Sequence, residues 1–255
     1  MKLLSTPAAA TMKTRLFESF AVKTIWLFLC IVSITAFSFT ASAQTWSAPV
    51  EPVNPFTGGT GGNSGQYSQL LVVNGIPAIA FYDATRTNLV FVRATDASGT
   101  SYGTPVTLDS IGSVGQHLSL QIVNGNPTIS YYDFTNGNLK YVRATDASGT
   151  TWGTPLSIDV TGGVGGYTSL QIVNGNPAIS YYDNTTFDLK YVRATDASGT
   201  TWGTPLSIDV TGVVGQYTSL QIVNGNPAIS YYDQTNGDLK HVRATNISGT
   251  TWGTH

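Results

Sequence analysis

Residues 115–164, GQHLSLQIVNGNPTISYYDFTNGNLKYVRATDASGTTWGTPLSIDVTGGV, return almost unchanged as residues 165–214, GGYTSLQIVNGNPAISYYDNTTFDLKYVRATDASGTTWGTPLSIDVTGVV. A third copy starts at Gly215 and a more diverged one at Gly65, so an offset of 50 residues governs the chain from Gly65 to His255. Within one unit, Tyr167 to Val173 alternates Leu170 and Ile172 against Ser169 and Gln171, and the turn Asn174-Gly175-Asn176-Pro177 follows. Ala178–Tyr182, Leu189–Thr195 and Trp202–Val210 read as three further strands, the last placing Trp202, Thr204, Leu206, Ile208 and Val210 on one face. Pro205 has no N–H to give to a ladder, so this fourth strand belongs at a sheet edge.

Four short antiparallel strands at this period describe a β-propeller blade, because so small a sheet buries its faces only when like sheets stack on both sides. The expected fold is all-β: about four four-stranded antiparallel blades, four-bladed in itself or part of a larger propeller. The units are 65–114, 115–164, 165–214 and 215–255. A β-solenoid is the alternative, but its coils repeat at shorter periods and do not need hairpin turns. Composition agrees with the strand reading. Of 255 residues only 10% are charged, so Ser, Thr, Asn and Gly must cover the surface, and no helical period follows Gln44.

The N-terminus reads differently. Lys2, Lys13, Arg15 and Lys23 precede an apolar run, Thr24–Thr40, which ends in Ala41-Ser42-Ala43 before Gln44. This is the pattern of a secretory signal peptide over residues 1–43 with cleavage before Gln44, an uncleaved anchor being the competing reading. Cys30, the one cysteine, leaves with the leader. The expected location is therefore secreted or on the extracellular surface, with no membrane association after cleavage. From Gln44 onward acids outnumber bases by thirteen to eight, which excludes the basic footprint that nucleic acid requires. Residues 44–64 form a lead-in in which Thr45–Val50 repeats the fourth-strand sequence, suited to complete a blade at the other end. The last unit stops at His255, early in its own fourth strand.

The link between third and fourth strands reads Thr145-Asp146-Ala147-Ser148-Gly149-Thr150-Thr151-Trp152, and it recurs around Asp96–Tyr102, Asp196–Trp202 and Asn246–Trp252. It resembles the Asp-box of bacterial neuraminidase-type repeats in sialidase-like propellers, with the acid one residue early at Asp146. The resemblance implies a fold element: Asp146 accepts from turn amides, Gly149 supplies a positive φ, and Trp152 staples the hairpin to the blade.

The same resemblance raises sialidase chemistry, with arginines on a substrate carboxylate, a Tyr–Glu nucleophile and an Asp acid/base. The chain after Gln44 has one Glu, Glu51, in a Pro-rich stretch. Arg93, Arg143, Arg193 and Arg243 occupy equivalent positions, which form a ring rather than converging on one ligand; their expected partners are Asp83, Asp133, Asp183 and Asp233. His117, His241 and His255 give neither a zinc spacing nor a triad. We therefore expect no catalytic residues, no metal and no cofactor.

Between the units at 115 and 165 the differences gather in two links, that between second and third strands and that from blade to blade, which share one rim. Either tight turns tolerate less change than longer loops, or the variable rim is a binding face. On the second reading Arg86, Phe134, Phe187 and Gln234 are the candidate ligand contacts, suited to a sugar ring with its apolar face and hydroxyl edge. The expected function is a non-catalytic binding module for a glycan or an extracellular protein, with no nucleic-acid partner. The alternatives are a sialidase-like glycoside hydrolase and a structural spacer of a larger surface protein.

Overall fold

The computed structural model describes residues 49–50 and 62–254. The signal-peptide reading and most of the lead-in lie outside the described residues, as does His255; Pro49 and Val50 belong to no strand.

The described chain is all-β, a propeller array of four sheets. Blade 1 holds β1 (Ser64–Val73), β2 (Ile76–Asp83), β3 (Asn88–Arg93) and β4 (Val106–Asp109). Blade 2 holds β5 (Val114–Val123), β6 (Asn126–Asp133), β7 (Asn138–Arg143) and β8 (Leu156–Asp159). Blade 3 holds β9 (Val164–Val173), β10 (Asn176–Asp183), β11 (Leu189–Arg193) and β12 (Leu206–Asp209). Blade 4 holds β13 (Val214–Val223), β14 (Asn226–Asp233) and β15 (Asp238–Arg243), three strands among the described residues. Strands pair antiparallel in chain order within each sheet. The first hairpins close on Asn-Gly turns whose residues both have positive φ, Asn124 at 45° and Gly125 at 81°, as a type I′ turn demands.

The fourth strand is shorter than its sequence suggests. Trp152, Trp202 and Trp252 make single bridges to Ala144, Ala194 and Ala244, and the ladder resumes only after the Gly-Thr-Pro step. Val210 is exposed and Asp209 fully buried, the reverse of the expected alternation. The reason is a contact between blades. Asp109, Asp159 and Asp209, ending the fourth strands, each accept from a tyrosine and a lysine of the next blade: Tyr131 at 2.6 Å and Lys140, Tyr181 at 2.7 Å and Lys190 at 2.7 Å, Tyr231 at 2.7 Å and Lys240 at 2.8 Å. Burial and the neighbouring carboxylate push these tyrosine hydroxyls far above their ordinary range. Blade 1 carries buried Phe81 and Val90 where its successors carry the tyrosine and lysine.

The core lies between sheets, not within one. Leu118 and Leu120 of β5 pack on Val73, Ala78, Leu89 and Phe91 of blade 1, and the later junctions repeat the arrangement. The Asp-bearing turns behave as the motif implies. Asp146 accepts from the amides of Ser148, Thr150 and Thr151 and from both threonine hydroxyls, which together hold its carboxyl well below the usual range. Gly149 has φ 71°. Trp152 donates to Gly149 O at 2.9 Å, and its ring meets Phe91 of the preceding blade edge-on at 5.0 Å.

The arginines do not pair with the aspartates. Arg143 donates to the carbonyls of Val123 (2.9 Å) and Asn124 (2.8 Å), closing the first hairpin, and Arg193 and Arg243 do the same one and two repeats on. Their side chains point toward the turn end of the blade, whereas Asp133 sits at the opposite rim beside Lys140 (3.8 Å). One strand length separates the two groups.

Candidate functional site at the mouth of the axis

The first strands β1, β5, β9 and β13 pack side by side around the axis. Each breaks register near its start, between Val114, Gln116 and Ser119 in β5 and at the equivalent places elsewhere. At each break an aromatic residue takes a left-handed conformation: Tyr67 (φ 53°), His117 (52°), Tyr167 (53°) and Tyr217 (54°). Such a φ costs a bulky residue about 1–3 kcal/mol and persists only where the surroundings enforce it. Here the bulge turns the ring inward.

The four rings form one row. Centroids lie 4.6 Å apart from Tyr67 to His117, 4.4 Å from His117 to Tyr167 and 4.4 Å from Tyr167 to Tyr217, each pair tilted. A second tier stands behind: Tyr82, Tyr132, Tyr182 and Tyr232, at 6.3, 6.4, 6.2 and 6.4 Å from their first-strand partners. The row lines an open cleft of about 340 Å³ with Ser68, Gln69, Leu118, Thr168 and Thr218. Equivalent positions on outer strands do stand apart, as the arginines do. Close to the axis the equivalent first-strand positions stand together, each ring within 4.6 Å of the next.

Burial lowers His117 below its ordinary value of 6.5. Burial, reinforced by the Tyr217 hydroxyl, leaves Tyr167 pushed up to about 12. Burial and then the adjacent Asp133 raise Tyr132. The mouth offers ring faces and edges together with the hydroxyls of Ser68, Thr168 and Thr218 and the Gln69 amide.

The links on the variable rim are tied together around this mouth. Ser113 N and Gly163 N donate to Thr135 and Thr185 Oγ1 at 2.7 Å, and the Phe134 and Asn184 amides return bonds to Ser113 and Gly163 O. Phe134, 61% exposed, meets Tyr132 edge-on at 6.1 Å and so extends the second tier outward. Gln234 accepts from Gln216 at 2.7 Å, next to Tyr217. Arg86 pairs with Asp83 at 3.3 Å on its own loop. Phe187, at φ 66° where two other copies have Gly137 and Gly237, is exposed on the loop after β10. Phe134 and Gln234 thus connect to the aromatic row, while Arg86 and Phe187 occupy neighbouring loops.

Ten of the twelve described aspartates hold the frame, while Asp188 and Asp238 lie beside the start of the third strands on the variable rim. Asp83, Asp133, Asp183 and Asp233 cap the loops after the second strands, Asp133 accepting from the Asn136 amide and side chain at 3.0 and 2.9 Å. Asp109, Asp159 and Asp209 hold the blade junctions, and Asp96, Asp146 and Asp196 hold the turns. Among the described residues, no group of three or more His, Cys, Asp and Glu side chains is arranged to hold a metal ion.

No protein-family model and no curated protein matches the sequence. Solved structures do. A Hadza microbial sialidase superposes with TM-score 0.53 at 14% identity over 75% of this chain and 46% of its own. An α-L-arabinofuranosidase from Lactobacillus brevis gives 0.50 at 11% identity over 73% and 71%, and a GH62 α-L-arabinofuranosidase catalytic domain from Coprinopsis cinerea gives 0.50 at 14% over 74% and 67%. The likeness is of fold: this chain has the propeller architecture of these glycosidases, and it spans less than half of the sialidase's length.

Proposed function

We propose that this protein is a secreted, non-catalytic propeller that binds glycans at the axial aromatic mouth. The observation that carries the reading is the row Tyr67, His117, Tyr167 and Tyr217, four strained, inward-turned rings along an open cleft. A sugar presents C–H groups on one face and hydroxyls at its edge, which the ring faces and the neutral polar groups of this cleft complement. The variable rim supplies the contacts that differ between copies, Phe134 and Gln234 nearest the row and Arg86 and Phe187 on adjacent loops. The repeats would be Asp-box-like, since Asp146, Gly149 and Trp152 perform the structural tasks of that motif. An extracellular protein presenting glycan is the partner this reading favours, and the leader reading supports secretion.

Binding of a panel of neutral and acidic oligosaccharides tests it. Tyr217 is 65% exposed, so Tyr217→Ala should leave the fold intact while weakening binding roughly tenfold, about 1.4 kcal/mol. Unchanged affinity in Tyr217→Ala and Tyr167→Ala together would reject the mouth as the site. The triple alanine variant at Arg86, Phe134 and Phe187 reports on the rim separately.

The second reading, a sialidase-like glycoside hydrolase, is favoured by the fold of its structural neighbours. Hydrolysis by paired carboxyls needs two of them flanking one bond, about 5–10 Å apart. Ten of the twelve described aspartates serve loops, junctions and turns, which favours binding over turnover, and Asp188 and Asp238 on the rim are the ones a hydrolase would have to use. Release of fluorophore from sialoside or arabinofuranoside reporters would decide for the hydrolase.

A further inference from the structure

Three of the four residues in the axial row are tyrosines, and His117 is the exception. The backbone does not require the change. His117 has φ 52° and the tyrosines 53°, 53° and 54°, so either side chain is built on the same bulge. Nor does a partner within the protein account for it. Among the described residues neither imidazole nitrogen makes a hydrogen bond, whereas the His117 carbonyl accepts from Thr168 Oγ1 at 2.9 Å, which ties the bulge to blade 3.

The imidazole is packed on both sides. The Tyr67 ring of β1 lies 4.6 Å from it and the Tyr167 ring of β9 4.4 Å, with Tyr132 of β6 behind at 6.4 Å. Rings this close are already in contact, so no ligand enters between them and His117 has its nitrogen edge to offer the cleft. The titratable groups facing it are the phenols of Tyr67, Tyr132 and Tyr167. Its own strand supplies none, Asp133 stands next to Tyr132, and among the described residues no Asp, Glu, Lys or Arg lines the cleft. Burial with no counter-charge beside it favours the neutral ring. A neutral imidazole carries one N–H donor and one bare acceptor nitrogen, and a sugar hydroxyl can meet it in either role; imidazolium has donors only.

We propose that His117 is the specificity-determining residue of the mouth, its neutral imidazole edge hydrogen-bonding a hydroxyl of an uncharged glycan, so that protonation releases the ligand. This deepens the reading of the mouth as a glycan site and rests on it. The ligand class follows from the cleft. A sugar carboxylate would find no cation there other than imidazolium and would bind better in acid, the opposite dependence. With a neutral glycan in place, protonation removes the acceptor and sets an uncompensated charge beneath a ligand that shields it from water.

Two measurements on the full chain test this, with cellotetraose, xylotetraose and galactotetraose as neutral probes and sialyllactose as the acidic one. Calorimetric titration between pH 7.5 and 5 should show affinity for a neutral probe falling as pH drops through the imidazole pKa, approaching about tenfold per pH unit below it. Proton NMR of the imidazole, with the His117 signal identified by its loss in His117→Tyr, should show that pKa lowered by a saturating neutral probe. His117→Tyr keeps a ring that does not titrate in this range and should bind with a flat profile. A flat wild-type profile, an equally steep one in His117→Tyr, a pKa unmoved or raised by the neutral probe, or preference for sialyllactose growing in acid would each overturn the proposal and leave the mouth a glycan site. Failure of all four probes to bind at pH 7.5 would overturn both.

Discussion

Replacing Lys190 with Val should be among the most damaging single changes outside the core. Its ammonium lies 2.7 Å from Asp159 of blade 2 and 3.6 Å from Asp183 of its own blade, and both carboxylates are buried. Removing one member of a buried ion pair typically costs about 3–5 kcal/mol, because the remaining charge keeps its desolvation penalty and loses its partner. Lys190 retains some exposure, and Tyr181 still donates to Asp159 at 2.7 Å, so the lower end, about 3 kcal/mol, is expected. The informative comparison is Asp159→Val, Tyr181→Phe and Lys190→Val combined, which gives this junction the Phe and Val that blade 1 buries at positions 81 and 90. Only Asp183 then lacks its lysine, and it keeps the Thr185 and Thr186 amides at 2.9 and 3.1 Å, so the expected loss falls to about 1–2 kcal/mol, part of it the Thr161 amide bond to Asp159 at 3.0 Å. Urea denaturation followed by tryptophan fluorescence and circular dichroism, compared at equal m-values, measures both. The reasoning fails if Lys190→Val costs under about 1 kcal/mol, as an exposed ion pair would, or if the triple variant is no more stable than the single.

Other expectations follow from the same geometry. Gly199→Ala would place a Cβ 2.6 Å from Tyr141 Oη at φ 71°, whereas Gly175→Ala at φ 80° meets nothing. Thermal denaturation should show the second losing about 1–2 kcal/mol from the left-handed backbone alone and the first clearly more. His117 is held below 6.5 by burial, so the unfolded chain binds its proton first; His117 contributes stability above pH 6.5 that is lost as pH falls through its folded pKa. Melting curves between pH 5 and 7.5 should show that slope in the wild type and a smaller one in His117→Tyr, which installs the residue found in the other three copies. Asn246 accepts from the Thr250 amide as Asp146 does from Thr150, but Asn246 Nδ2 is a donor where Asp146 Oδ2 accepts from the Thr151 amide. Asn246→Asp should therefore stabilise blade 4 by about 1 kcal/mol, read as a raised urea midpoint.

The blades were legible in the sequence because their causes are local. Period-two alternation, the Asn-Gly turns and the Asp-x-x-Gly links specify each sheet within its own 50 residues, and the rim pairing of the two variable links follows from strand direction. What bridges repeats was harder to read. Asp109 meets Tyr131 and Lys140 across a junction, and only the joint change to Phe81 and Val90 in the first copy betrays it. The arginines were assigned to the aspartates by charge, although a strand length separates them and backbone carbonyls satisfy them. The axial row was missed for a related reason. Tyr167 read as the first residue of an alternating strand and His117 as a histidine with no zinc or triad spacing, and nothing in an alternating pattern announces a bulge that turns rings inward.

The uniformity of the blade junctions bears on how such a chain can change in length. Blades 2 and 3 offer their successors the same leucine, hydroxyl and carboxylate, and blades 2 to 4 meet their predecessors with the same glycine, tyrosine and lysine. Excising residues 165–214 would bring Leu139 over Gly215 and Asp159 beside Tyr231 and Lys240, restoring every contact of the lost seam. Duplication or loss of a whole unit by recombination therefore creates no foreign neighbours, and copy number is left to be set by what the array must hold.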